Sequence, residues 1–328
     1  MTMTKLVTKT ALSMITLGAV LALLQGTPAQ ALNNKSFVSG TGSDANNCST
    51  VPQACATFAH ALTQTAAGGE ISVVNTGEYG KVTISKSVNI TNDGAGEASI
   101  LPSGAGIHIT AGLGDVISLR GLVIDGQGAA GTFGAYIETA SAIHIQNCVI
   151  RNFEATGAFG ISVVAGFNMK LFVSDTIIFN NGSTATSGGI NITQFGTRLS
   201  IDVVLDRVHL ENNVIGLLVT SLFTDSATHV IIRDAVVSSN AGDGIRAHSV
   251  PLSAAFLVVD HTAVVSNAGT GILAEGDGAI ILLNDNTITR NGAGISAITS
   301  GQLISYGNNK NNINIGPEGA PTSFFSQM

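Results

Sequence analysis

The 328-residue chain has no tryptophan, three tyrosines, six prolines and three cysteines, and only 11% of its residues are charged. Each shortage excludes something. Without tryptophan, a lectin-type aromatic surface has little beyond the phenylalanines to draw on. A charged share well below the usual quarter or so is a poor match for a helical enzyme. Positive charge is scarcer still: 14 Lys and Arg stand against 21 Asp and Glu, a net charge of −7. That balance argues against nucleic acid or an anionic membrane surface as a partner. It also makes a strongly anionic polymer an awkward ligand unless a cation lies between. The seven histidines show no metal-ligand spacing, which argues against zinc. No apolar run reaches the ~20 residues of a membrane span.

What is abundant is glycine, and it recurs at a fixed interval. Val236-Val237-Ser238-Ser239-Asn240-Ala241-Gly242-Asp243-Gly244-Ile245 returns 27 residues later as Val264-Val265-Ser266-Asn267-Ala268-Gly269-Thr270-Gly271-Ile272. Weaker copies end in Gly106-Ile107, Gly134-Ala135, Gly160-Ile161, Gly189-Ile190, Gly216-Leu217 and Gly294-Ile295. Asn152, Asn181, Asn213, Asn240, Asn267 and Asn291 precede these glycines. Between the landmarks run short Val/Ile-rich segments with period-two alternation, the pattern of strands. Three short strands per repeat cannot bury an apolar face alone. Stacking each turn on the last gives every strand a parallel neighbour ~4.8 Å away and a shared core. Gly is expected to supply the corner angles, which Asn tolerates better than most residues, and stacked Asn side chains are expected to bond corner backbone and each other. The sequence therefore predicts a parallel β-helix of nine or ten turns.

This repeat resembles the right-handed parallel β-helix proteins of the pectin-lyase-like superfamily, over residues 100–310. The resemblance implies an all-β fold, a single right-handed solenoid, and a short helix capping its N-terminal end. It implies little about activity, because such scaffolds host many chemistries. The superfamily's hydrolase signatures are missing: there is no Asn-Thr-Asp, Asp-Asp, Gly-His-Gly or Arg-Ile-Lys.

Four segments follow. Residues 1–31 read as a secretory signal peptide: Lys5 and Lys9, an apolar run from Ala11 to Leu24, then Ala29-Gln30-Ala31 as cleavage site. Its removal would leave 12 basic and 21 acidic residues, a net charge of −9. The protein is thus expected to be exported, with no membrane insertion after cleavage. Residues 32–99 hold a first strand, the pair Cys48 and Cys55, and a helix over Ala56–Ala67 that covers the open end of the stack. The two cysteines are expected to form a local disulfide, and Cys148 to be a buried packing residue. Residues 100–310 are the repeats, and residues 311–328 the C-terminal cover.

Chemistry is expected on the outward face of the Gly-Ile strands. One column there reads His108, Tyr136, Ser162, Asn191, Leu218, Arg246, Leu273 and Ser296. A second reads Thr110, Glu138, Val164, Thr193, Thr220, His248, Glu275 and Ile298. Arg246, His248, Glu275 and Asp277 form the densest polar group. They can bind a sugar or move a proton, or they are a solvated patch paired with itself. Glu138 and Glu275, five turns and roughly 24 Å apart, cannot act as a carboxylate pair. Tyr136 and Glu138 are weaker ligand-binding candidates. So are Phe167, Phe195 and Phe223, which recur every 28 residues and are expected to plug a corner of the core rather than form an exposed platform. A column of Asn147, Asp175, Asp206, Asp234, Asp260 and Asp285 would stack carboxylates, which Ca²⁺ at Asp175, Asp206 and Asp234 would relieve. The plainer reading, wet Asp side chains capping backbone amides, is preferred, with no cofactor. The favoured function is a non-catalytic binding or structural scaffold, with polysaccharide as partner. The alternative is a polysaccharide lyase or epimerase working around Arg246, His248 and Glu275.

Overall fold

A computed structural model describes residues 32–128 and 130–325. The segment read as a signal peptide lies outside the described residues. From Thr65 onward the chain winds through three parallel sheets, one strand of each per turn. Sheet A has twelve strands, sheet B ten and sheet C nine. A representative turn passes from Ala227–Arg233 (sheet A) to Val236–Ser238 (sheet B) and Ile245–Ser249 (sheet C), then to Ala254–Asp260 back in sheet A.

The alternation decides which side chains face inward. In Ala227–Arg233, Thr228, Val230 and Ile232 are buried, while His229, Ile231 and Arg233 are exposed. Register then stacks like on like: Leu171, Val203, Val230, Leu257, Ile281 and Leu303 form one inner column of sheet A. Ile150, Ile178, Leu210, Val237, Val264 and Ile288 do the same in sheet B. Each buried Val, Leu or Ile contributes about 1.5–3 kcal/mol, and the columns together form one continuous core.

Two expectations about the corners need correcting. The left-handed residues are mostly not glycines: Asn180 and Asn212, of the residue type expected to tolerate these angles, hold φ of 55° and 52°, but Ser239 and Ser266 hold 57° as well. The repeat glycine serves close approach instead. A Cβ on Gly216 would lie 2.5 Å from the Gly244 carbonyl oxygen, and one on Gly244 2.7 Å from that of Gly271. The Asn column is also one member shorter at its start. Asn181, Asn213, Asn240, Asn267 and Asn291 stack in the core, but the preceding rung is Phe153, whose N–H donates to Asn181. Asn152 takes the neighbouring left-handed position and donates to Asp125.

At the N-terminal end, Cys48 and Cys55 are disulfide-bonded with Cα atoms 5.1 Å apart. The helix is shorter than expected, Phe58–Gln64. Thr57 caps its start, accepting from the His60 N–H, and Phe58, Ala61 and Leu62 are buried. It stops because Thr65–Val73 is taken up as a strand beside Asn33–Val38. At the far end, Ser323–Phe324 adds a last strand to Gln302–Ser305.

Candidate functional site

Sheet C carries the outward columns in the register expected. Tyr136 lies beside His108 and Ser162, Ser162 beside Asn191, Leu218 beside Arg246, and His248 beside Glu275. A bulge after Ile137 displaces Glu138, so Thr110 pairs with Thr139 instead. The face has three parts.

At the N-terminal part, His108 Nε2 lies 2.9 Å from Glu138 Oε2. The Tyr136 ring stands 5.2 Å from the His108 ring and 4.9 Å from Phe133. Partial burial, and then the nearby Glu138 charge, push the Tyr136 hydroxyl pKa upward. This His–Glu–Tyr group escaped sequence reasoning as a unit, because a strand bulge brings Glu138 toward the preceding turn.

The central part is uncharged. Phe159–Ala165, Gly188–Gln194 and Ile215–Ser221 contain no ionisable side chain. Asn191 Nδ2 donates to Ser162 Oγ at 3.3 Å, and Thr193 Oγ1 to Asn191 Oδ1 at 3.1 Å.

At the C-terminal part, Arg246, His248 and Glu275 converge. Arg246 donates to Glu275 Oε2 from Nε at 3.1 Å and from Nη2 at 2.5 Å. A second carboxylate, Asp243, lies 4.0 Å away. The Arg246 hydrogen bond, against some desolvation, holds the Glu275 carboxyl below its ordinary pKa. His248 Nδ1 is 3.4 Å from Glu275 but out of line for a hydrogen bond, and has no other partner among the described residues. Asp277 does not join the group; it is exposed on the turn after Gly276. Arg246 stands between two hollows. One, of about 180 Å³, is lined by Ala185, Thr186, Leu218, Thr220 and His248; the other, of about 420 Å³, by Ser183, Thr184, Val214 and Asp243. The segment 183–186 thus walls one side of the face.

The other side is rimmed by phenyl rings. Phe167 is 48% and Phe195 54% exposed, so these rings do not plug the core. Phe195 continues the outward alternation of Asn191 and Thr193, and its ring lies 5.8 Å from that of Phe223. Register past the strand end, which the sequence pattern does not fix, turns Phe167 and Phe195 outward and leaves Phe223 half-buried.

The acidic column is also corrected by register. Ser174, Asp206, Arg233, Asp260 and Asn284 form one row of sheet A. Asp175, Arg207, Asp234, His261 and Asp285 follow as left-handed corner residues. Asp206 and Asp260 therefore sit one position away from Asp175 and Asp234, and cations interleave with them. Arg207 pairs with Asp175 at 2.7 Å and also with Asp206, while Arg233 reaches Asp206 at 2.9 Å. These arginines relieve the repulsion for which calcium was considered. Among the described residues, the group of His, Cys, Asp or Glu close enough to share an ion is Cys48, Cys55 and His60, and its sulfurs are tied in the disulfide.

The comparisons agree with this geometry at the level of fold. Residues 201–310 match the sequence family described as right handed beta helix region. No curated protein sequence matches the chain. Pectate lyase Pel9A superposes with a TM-score of 0.63 at 14% identity, over 92% of this chain and 80% of its own. The A-module of Azotobacter vinelandii mannuronan C-5 epimerase AlgE4 gives 0.42 at 11% identity, over 80% of this chain and 91% of its own. Tailspike protein 2 of Escherichia coli O157:H7 bacteriophage CAB120 gives 0.42 at 14%, over 86% of this chain but 41% of its own. Among the described residues, parallel pairing throughout, three sheets and one short α-helix complete the match: the chain folds as a right-handed parallel β-helix, the fold it shares with pectate lyase Pel9A.

Proposed function

We propose that this is an exported β-helix that binds polysaccharide along the outward face of sheet C without transforming it. The observation that carries the reading is that the strongest polar group on that face is closed on itself. Glu275 is held ionised by Arg246, which suits it poorly to donate a proton, and Arg246 has two carboxylates around it. Between this group and the His108–Glu138 pair lies a run of hydroxyl and amide side chains, the composition that bonds sugar hydroxyls. Export is supported by the N-terminal signal pattern and by the Cys48–Cys55 disulfide, which persists in oxidising compartments. Calcium has no part in the reading: chelation should leave binding and thermal stability unchanged.

One feature favours a second reading, a lyase or epimerase. His248 lines a walled hollow with its Nδ1 buried 3.4 Å from the Glu275 carboxylate, which would orient the ring for a general base. A polysaccharide array with parallel product analysis separates the two. Retention without product supports the binder. Unsaturated or epimerised products that vanish in Glu275→Ala would overturn it.

A further inference from the structure

We infer that the ligand of sheet C is a neutral glycan, its pyranose faces seated on the Phe195 and Phe223 rings. The inference rests on the polysaccharide-binding reading and adds the chemical class. Three consecutive strands of the face carry no charge, and neither does the segment Gly182–Ser187 that walls them. A polymer bearing a carboxylate on each unit would meet no free cation along this stretch, in a chain of net charge −7. Arg246, the cation at its end, is already paired twice. Arg198, three residues after Phe195 and outside the three strands, is 84% exposed with Asp225 4.0 Å away, so its charge is offset only in part.

What the stretch does offer is a neutral set with two kinds of surface. Asn191, Thr193 and Thr220 present donors and acceptors on a half-buried floor. Alongside, Phe195 is 54% exposed, and the half-buried Phe223 ring lies 5.8 Å from it with the two planes tilted by 46°. Phenyl faces take the C–H side of a sugar ring, while its hydroxyls remain for the polar floor. Strand spacing of ~4.8 Å repeats the offer once per turn.

Among the described residues, lysines without a carboxylate partner lie at the N-terminal end of the same face. Lys81 and Lys86, with His108, line a cavity of about 410 Å³ beside the helix Phe58–Gln64, and Lys86 donates to the Thr65 carbonyl at 2.5 Å. The cavity adjoins the strand Val82–Ile84, three strands before Ser162 and thus roughly 14 Å away at the strand spacing. These two lysines give the test its opposing arm.

The experiment is calorimetric binding of the purified exported chain to neutral polysaccharides (glucans, galactans, mannans) and to polyuronates, at low and high salt. The expected result is binding to a neutral polymer that persists in salt. Phe195→Ala should weaken it about tenfold, with Phe195→Tyr retaining it. Lys81→Ala and Lys86→Ala should leave it unchanged. Circular dichroism checks that each variant is folded. Polyuronate binding that collapses in salt and is lost in the lysine variants would overturn the neutral class while leaving the polysaccharide reading intact. Neutral binding indifferent to both Phe195→Ala and Phe223→Ala would overturn the role of the rim. No binding to either class would sink the polysaccharide reading, and this inference with it.

Discussion

The corner between sheets B and C and the corner between sheets A and B turn the backbone in the same way but meet different amounts of water. Both use left-handed residues: Asn212 and Ser239 at the first, with φ of 52° and 57°, and Arg207 and Asp234 at the second, with φ of 51° and 50°. At the first corner the next residue is a buried asparagine. Asn240 Oδ1 accepts from the Asn213 N–H at 2.9 Å, and its Nδ2 donates to Leu210 O at 3.1 Å and to Asn267 Oδ1 at 2.8 Å. At the second, the left-handed residue itself carries the polar group, and it points into solvent. Around Asn240 the buried corner is therefore built from neutral amides with their bonds satisfied, and around Arg207 the wet corner from alternating charges. Only in the last turns does the A–B corner take a buried amide as well, Asn286, which accepts from the Thr262 N–H and donates to Val259 O and Asn309. A buried amide is costly to unpair, whereas exposed ion pairs gain little in water.

The sharpest way to test this contrast is to remove one amide from the middle of the buried ladder. Asn240→Ala leaves the Asn213 N–H and the Leu210 carbonyl without partners in the core, and should cost about 2–4 kcal/mol in chemical denaturation. A loss no greater than at the wet corner would break the comparison. Cys148 gives an independent readout of opening. Burial pushes its thiol pKa up to about 11, so little thiolate forms at neutral pH. It should resist alkylation in the native protein and react once the stack opens, faster in Asn240→Ala than in wild type. Arg207→Ala, at the wet corner, should lower the denaturation midpoint by less than Asn240→Ala. The Arg207→Ala loss should fade in high salt while the Asn240→Ala loss persists, since only the ion pairs are exposed and screened.

The smallest effect expected is a pH dependence at His261. Its Nδ1 lies 2.8 Å from Asp260 and its Nε2 3.3 Å from Asp285. The Asp260 hydrogen bond and charge, with Asp285 and Asp234 behind, raise its pKa above the ordinary value. A group raised on folding adds stability that is complete below its unfolded pKa of about 6.5 and is lost as pH rises through the folded value. Wild type should therefore exceed His261→Asn in thermal stability at mildly acid pH, with the gap closing in alkali. A gap that widened with pH would show the sign to be wrong.

Much of this architecture was legible in the chain. The alternation of Val and Ile placed Val230, Leu257 and Ile281 inward, and the repeat interval placed Arg246, His248 and Glu275 on neighbouring turns. The misreadings sit at corners and strand ends. Asn152 was counted in a ladder whose rung is Phe153, and Asp206 and Asp260 in a column that holds Arg207 and His261. Phe195 and Phe223 were expected inside, and Phe195 lies outside.

These errors share a cause. Period-two patterning acts over several residues, and each strand tolerates one alignment with a dry core, so the sequence by itself determined the stack, its turn length and its inner columns. Corners are two or three residues long and carry no period. A shift of one position there exchanges a buried rung for a wet one, and only contact with the turns above and below selects between them. Which carboxylate meets which arginine, which phenyl ring faces solvent, and how the segment 183–186 walls the sheet were therefore left to the tertiary structure.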